Sequence, residues 1–526
     1  VLLALVVMAV LVAACTGTEG ESSDATAQAG TEVSASAGNR LVPQIGSLPQ
    51  EAEAVMSGDA YQSARWSVLV RKVETGEPVL SLWAEDNMTM GSNMKLFTVG
   101  TALDVLGPDR TFTTPVHQLG DDIVLVASGD FVMGGRNAGD GDELAYSVPP
   151  QGDANGLPGA KPAPGDPLAG LDDLAEQVRA SGVSSVDGEV LIDDRLFETW
   201  DSRRGVINPL VINDNLFAVL TTAGAVGEGA SLETIPATDA FTLLNEVTTV
   251  PDGEPTRISI TAGEANTLIV SGTVSEGTED ALNVYQVDDP TSYGRTLFVE
   301  ALERAGVAVA ADPLAVEDSA VLPDPGAYSD ENRLAWIESP PLREMAELVW
   351  KISHNEGAMV TLCLLAAEAG STDCLDGFAA IRARTEALGI DPHDTWFIEG
   401  AGGDTAQTTA QAITDWLRWM DEQPWGAELP SMLPILGVDG SLTDVATESP
   451  ARGLVQAKTG TNAALDGSNG RLLIKGKALA GFMESEDGTR YVFGLYMSNA
   501  SFDGMQGQFT VNDDMGDVAA AIEQSL

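Results

Sequence analysis

Between about residues 118 and 338 the texture of this chain changes, and that change limits what it can fold into. Before it, strand-like and helical patterns alternate in an ordinary way; after it, helices return and strands close the chain. Inside it the sequence is rich in Asp, Gly, Val and Thr, with short strands such as Asp122-Ile123-Val124-Leu125-Val126 and Gly188-Glu189-Val190-Leu191-Ile192. Strands at both ends, helices within them and a β-rich stretch in the middle read as an α+β body with a large insertion.

The outer parts carry specific signals. Trp66-Ser67-Val68-Leu69-Val70 and Pro78-Val79-Leu80-Ser81-Leu82-Trp83 flank the turn-like Glu74-Thr75-Gly76-Glu77, which predicts a hairpin. A helix is expected over 92–106, stopped by Gly107-Pro108. Two helical pieces, 171–180 and 296–305, interrupt the insertion, and the Pro/Gly-rich run 149–167 reads as a surface loop. Helical patterns cover 342–369 and 408–421, with Thr408 as a candidate N-cap. Strands are expected at 453–458, 478–483 and 491–497, the last two paired through Glu486-Asp487-Gly488, and a short helix at 518–524.

The first residues place the protein outside the cytoplasm. Residues 1–14 are almost wholly apolar and end at Cys15, which is the length of a signal-peptide hydrophobic region and short for a bilayer span. Leu11-Val12-Ala13-Ala14-Cys15 resembles a bacterial lipobox, so Cys15 is the expected lipidation site, with a plain secretory signal as the alternative. Residues 15–45 have almost no large apolar side chain and read as a flexible tether. The expected organisation is therefore a signal peptide (1–14), a lipidated linker (15–45), a catalytic domain in two parts (46–117 and 339–526) and inserted β-rich domains (118–338). Location follows: the outer face of the plasma membrane, held by lipid alone, or secreted to the cell wall. The 526 residues carry a formal charge of −52, which repels nucleic acid and anionic lipid. Cys363 and Cys374 fit either a disulfide or two buried thiols. No Cys/His spacing suggests a metal, and the three histidines are scattered, so no metal or cofactor is expected.

Lysine is scarce, and two of the seven stand in distinctive places. Only Lys95 has a serine three residues before it, in Ser92-Asn93-Met94-Lys95, and only Lys458 opens a Lys-Thr-Gly, in Lys458-Thr459-Gly460. A single Ser-x-Asn, Ser353-His354-Asn355, lies between them. Each spacing has a chemical use. Residues i and i+3 of a helix share a face, so Ser92 presents its hydroxyl beside the Lys95 amine. An electropositive pocket at a helix start favours the neutral amine, which can accept the serine proton. Ser353 and Asn355, alternate residues of a tight loop, can both face one cavity; the hydroxyl can relay a proton to a leaving amine and the amide can hold a peptide bond. Lys458 and a threonine hydroxyl suit a terminal carboxylate, and Gly460 lets a substrate lie against the strand. The amides of Ser92 and Thr461 would form an oxyanion hole, each such donor contributing ~3–4 kcal/mol to a transition state. Alone, each motif is commonly a solvated helix face, a turn or a strand end. Together, single-copy and in this order, they point to nucleophilic catalysis.

This set resembles the signature of penicillin-binding proteins and serine β-lactamases. The long stretch from Ser92 to Ser353 is similar to the low-molecular-mass class C penicillin-binding proteins, a D-alanyl-D-alanine carboxypeptidase/endopeptidase family with domains inserted between the first two motifs. Ala127-Ser128-Gly129-Asp130, Val186-Asp187-Gly188 and Asn213-Asp214-Asn215-Leu216 also resemble it, over about residues 50–500. The resemblance implies a transpeptidase-like catalytic domain, an antiparallel sheet flanked by helices. By the same carry-over Ser92 is the nucleophile, Lys95 the general base, Ser353 and Asn355 the second element, and Lys458, Thr459 and Gly460 the third. It implies peptidoglycan stem peptides ending in D-Ala-D-Ala as substrate and β-lactams as acylating inhibitors. Four departures stand out: Met90-Gly91 where the family has Pro-Ala, His354 where it has Asp, Met359 near the place of a Glu, and Glu399-Gly400-Ala401-Gly402 for Asp-Gly-Ser-Gly. The alternatives are a serine β-lactamase or esterase, against which the long insertion speaks, and a non-catalytic wall-binding lipoprotein on the same fold.

Overall fold

The structure, a computed structural model, describes residues 41–136, 144–278, 280–316 and 319–526. The expected signal segment, the Cys15 lipidation site and nearly all of the tether lie outside the described residues.

The body is built on one antiparallel sheet. Its strands are β1 (Arg65–Lys72), β2 (Pro78–Leu82), β3 (Val455–Leu465), β4 (Leu472–Glu484) and β5 (Arg490–Ser498), in the order β2-β1-β5-β4-β3. β1 pairs with β5 along its whole length, from Arg65↔Ser498 to Lys72↔Tyr491, so the early hairpin completes a sheet whose other half comes from the end of the chain. Both sheet faces are covered, and side chains alternate between them. In β5, Val492 and Tyr496 join the helical core, while Phe493, Leu495 and Met497 pack under Gln50–Met56 and Gly507–Glu523. A strand buried on both faces reads as a continuous apolar run, which is how 491–497 appears.

The helical core fixes the element that carries Ser92. The helix Met94–Val105 lies among Leu342–Lys351, Asn355–Glu368 and Ala410–Asp421. Two fully buried tryptophans hold it: Trp350 Nε1 donates to the Lys95 carbonyl and Trp416 Nε1 to the Leu96 carbonyl, both at 3.0 Å. Phe97 meets the Trp416 ring at 4.7 Å between centroids. Truncating a buried aromatic of this kind costs about 3–5 kcal/mol.

The chain leaves this body at Phe112 and returns at Ser339. The two residues are stitched together, Ser339 N donating to Phe112 O (2.9 Å) and Phe112 N to Ser339 Oγ (3.0 Å). Beyond the stitch, Thr113–Leu119 and Arg333–Glu338 pair antiparallel in a four-stranded sheet with Asp122–Val126 and Val190–Asp193. Helices Ala169–Ala180 and Pro290–Arg304 share its core through Leu174, Val178, Leu297 and Phe298, and two three-stranded sheets follow between 216 and 286.

Some boundaries differ from expectation, for local reasons. The helical stretch 342–369 is two helices, broken at Ser353, whose φ of 60° lies in the left-handed region. Thr409, not Thr408, caps the helix Ala410–Asp421, its Oγ1 accepting from Ala412 N at 3.0 Å. The last helix starts at Gly507, because Val511 and Met515 already face the sheet while Asn512, Asp513 and Asp514 hide the apolar period. Asp289 caps Pro290–Arg304, which therefore begins before 296. Cys363 and Cys374 form a disulfide, tying Asn355–Glu368 to the turn that follows it. No described helix is long and apolar enough to cross a membrane.

Candidate active site

Ser92 sits in a single 3₁₀ turn, Gly91–Asn93, that leads straight into the helix Met94–Val105. The turn is anchored from both sides. Met90 N donates to Ala406 O (3.0 Å), and the buried Asn93 amide donates to the Lys458 carbonyl of β3 (2.7 Å). The first motif is thereby bonded to the third.

The Lys95 amine has three neighbours: Ser92 Oγ at 2.8 Å, Asn355 Oδ1 at 2.9 Å and the Ala401 carbonyl at 3.0 Å. The last two can only accept, so they take two N–H bonds. In the neutral amine that leaves the lone pair for the Ser92 hydroxyl. Burial, and then the positive charges of Lys458 and Arg204, hold the amine well below the usual lysine range. The lysine is wholly buried, yet its tip touches the half-buried serine at the cavity.

The second motif closes the other side. The break at Ser353 turns both Ser353 and Asn355 into a cavity of about 710 Å³ that Ser92 also lines. His354 points away from it: its Nδ1 accepts from Gly357 N at 3.1 Å, capping the helix Asn355–Glu368, and its Nε2 lies 2.9 Å from Asp214 Oδ1.

The third motif forms the cavity's floor along the edge strand β3. Thr459, Gly460 and Thr461 line it, while Lys458 is fully buried. Thr459 Oγ1 shares a hydrogen bond with Ser441 Oγ at 2.8 Å. Pairing of Thr461 with Lys477 on β4 brings in a lysine that no motif announced; its Nζ donates to Thr461 Oγ1 (2.8 Å) and Asn512 Oδ1 (2.9 Å). Burial, aided by Lys477, lowers Lys458 to about 7, and burial lowers Lys477 to about 7.

The inserted region supplies more that sequence reading missed. The run 149–167 is not merely a surface loop: Pro149, Pro150 and Asp153 line the cavity, as does Arg204. Arg204 is paired with Glu399, the residue at the head of the departing Glu-Gly-Ala-Gly element. Burial raises the Asp153 carboxyl against the opposing pull of Lys95, Arg204, His354 and Lys458.

A serine facing a buried lysine at the start of a core helix, beside the edge of an antiparallel sheet, defines a serine acyl-transferring enzyme of the penicillin-recognising fold. The chain belongs to the D-Ala-D-Ala carboxypeptidase 3 (S13) family, which it matches over residues 48–521. It is a serine-type hydrolase of the D-Ala-D-Ala carboxypeptidase class. It is 27% identical over 468 residues to the D-alanyl-D-alanine carboxypeptidase of Actinomadura sp. (strain R39), an alignment spanning 80% of this chain and 78% of that protein. Among solved structures it is similar to penicillin binding protein 4 (dacB) from Haemophilus influenzae, with a TM-score of 0.64 and 16% identity over 90% of this chain and 99% of that one. The same protein complexed with a β-lactam superposes equally well, with a TM-score of 0.64.

Proposed function

We propose that this enzyme cleaves the terminal D-Ala-D-Ala bond of peptidoglycan stem peptides through an acyl-enzyme on Ser92. The neutral Lys95 amine takes the Ser92 hydroxyl proton as Oγ bonds to the penultimate D-Ala carbonyl carbon. The amides of Ser92 and Thr461 receive the charge that develops on the oxygen. The C–N bond then breaks, the proton held by Lys95 is relayed through the Ser353 hydroxyl to the departing amine, and free D-alanine leaves with both Lys95 and Ser353 restored. Water, deprotonated by the same lysine, releases the shortened peptide and restores the serine proton. Asn355 holds the substrate amide, and Thr459 and Thr461, backed by Lys458 and Lys477, face the terminal carboxylate. A β-lactam, whose ring nitrogen stays attached after ring opening, occupies the same serine as a long-lived adduct.

The observation that carries this reading is the 2.8 Å approach of Lys95 Nζ to Ser92 Oγ with the amine's other two bonds already committed. In this reading 46–112 and 339–526 form the catalytic domain and 113–338 the inserted one, a boundary five residues earlier than the 117 expected from composition. The enzyme works outside the cytoplasm at the cell wall, and a lipid on Cys15 with the tether 15–45 would hold it at the outer face of the membrane. Incubation with a defined stem pentapeptide tests the reaction: D-alanine is released by the unsubstituted chain and not by Ser92→Ala. Release at the same rate by both would end the proposal. A membrane-bound pool that Cys15→Ser frees into the medium would support the anchor; an unchanged distribution would remove it.

A further inference from the structure

Asp214 belongs to the inserted region, yet it ends at the second motif. It is buried, with a side chain only 7% exposed, and lies in a buried cluster. Arg136 grips both its oxygens, at 2.9 and 2.7 Å, and Gln151 Nε2 donates to Oδ2 at 2.7 Å. Its Oδ1 faces His354 Nε2 at 2.9 Å. Burial alone would raise this carboxyl, but Arg136 and His354 overcome it and hold it well below the usual carboxylate range.

His354 is the middle residue of Ser353-His354-Asn355. Because its Nδ1 accepts from Gly357 N, the ring proton belongs on Nε2, the nitrogen 2.9 Å from Asp214 Oδ1, a close contact whose angle falls short of a hydrogen bond. The ring therefore joins a helix start, an inserted-region carboxylate and the strained Ser353 turn in one chain of contacts. Asn355, next in sequence, holds Lys95 at 2.9 Å. A displaced turn would loosen the contact that orients the base. Gln151 extends the cluster to the loop carrying Asp153, so one carboxylate stands behind two walls of the cavity.

We infer that Asp214, set by Arg136, is a positioning residue for acyl transfer: through His354 it holds Ser353 and Asn355 against Ser92 and Lys95. The inserted region is then part of the catalytic frame. This rests on acyl transfer at Ser92. The charged groups around the pair are Arg136 and Glu356 beside Asp214, and Asp153 beside His354.

A double-mutant cycle tests it. His354→Asn keeps a side-chain oxygen for the helix cap but cannot reach Asp214; Asp214→Asn keeps the shape and removes the charge. The readout is the penicillin acylation rate constant, counted per labelled site, beside the melting temperature. Misplacement of catalytic groups by a fraction of an ångström to 1 Å costs about 10- to 100-fold. Each single variant should slow acylation in that range, and the double variant no more than the worse single one. Multiplicative losses, or unchanged acylation with only a lowered melting temperature, would overturn the inference. If Asp214→Asn leaves Arg136 unpaired and does not fold, His354→Asn decides alone: acylation as fast as in the unsubstituted chain refutes the proposal. Absence of labelling in the unsubstituted chain would remove the acyl-transfer reading and this inference with it.

Discussion

Gly460→Ala is the smallest change that should cripple this site. A Cβ at Gly460 would lie 2.2 Å from Met90 O and 3.1 Å from Ser92 N. A carbon meets a carbonyl oxygen comfortably at about 3.3 Å or more, so the shortfall is about 1 Å. Both obstructing atoms are backbone, in the turn pinned by Asn93 to Lys458, and no side chain can swing aside to make room. The edge of β3 and the Ser92 turn must therefore separate by about that shortfall. That separation pulls apart the two amides assigned to the oxyanion. Loss of one such donor costs about 2.7–4 kcal/mol, or about 10²- to 10³-fold in rate. Overpacking itself costs about 1–3 kcal/mol of stability. The assay is stopped-flow acylation by a fluorescent penicillin, with thermal unfolding measured in parallel. Gly467→Ala, where nothing lies within 4 Å of an added methyl, is the control and should acylate normally. If Gly460→Ala loses stability but acylates within about twofold of the unsubstituted chain, the placement of the oxyanion site against β3 is wrong.

Other outcomes follow from the same geometry. Lys458 and Lys477, each lowered to about 7, are charged below that pH and neutral above it, so carboxylate binding should weaken as pH rises through about 7. The ratio of kcat/KM for a D-Ala-D-Ala peptide over its C-terminal carboxamide, which cancels the titration of Lys95, should fall across that range; a flat ratio from about pH 5.5 to 8.5 contradicts the assignment. Reducing the Cys363–Cys374 disulfide, whose sequence separation is 11, should cost about 3 kcal/mol by loop entropy, read as a lower denaturation midpoint with reductant. Trp350→Phe removes the donor to the Lys95 carbonyl and leaves a smaller phenyl where the buried indole was, and should lower stability by about 1–3 kcal/mol in urea titration.

The groups assigned to catalysis could be picked out in the sequence because their relations are local. Ser92 and Lys95 are one helical turn apart, and Ser353 and Asn355 flank a single residue, so spacing alone says they can face one place. The strands of the sheet were legible for the same reason, as runs of β-branched and aromatic residues between turns. What remained hidden depends on contacts far apart in the chain. Lys477 enters the site through the β3–β4 register, and the readable strand signal began only at Ala478. Asp153, Arg204 and Asp214 come from the inserted region, where the composition announces loops and short strands but not which of them fold back over Ser92. His354 showed in the sequence only as a departure from the family pattern; the structure makes it a helix cap with a carboxylate behind it.

The most direct test of the central claim is peptide mapping by mass spectrometry after brief exposure to benzylpenicillin. The account predicts one adduct, equal in mass to the intact drug, on the peptide containing Ser92, and none in Lys95→Met, which retains the serine but lacks its base. An adduct elsewhere, or Ser92 acylation undiminished without Lys95, would contradict it.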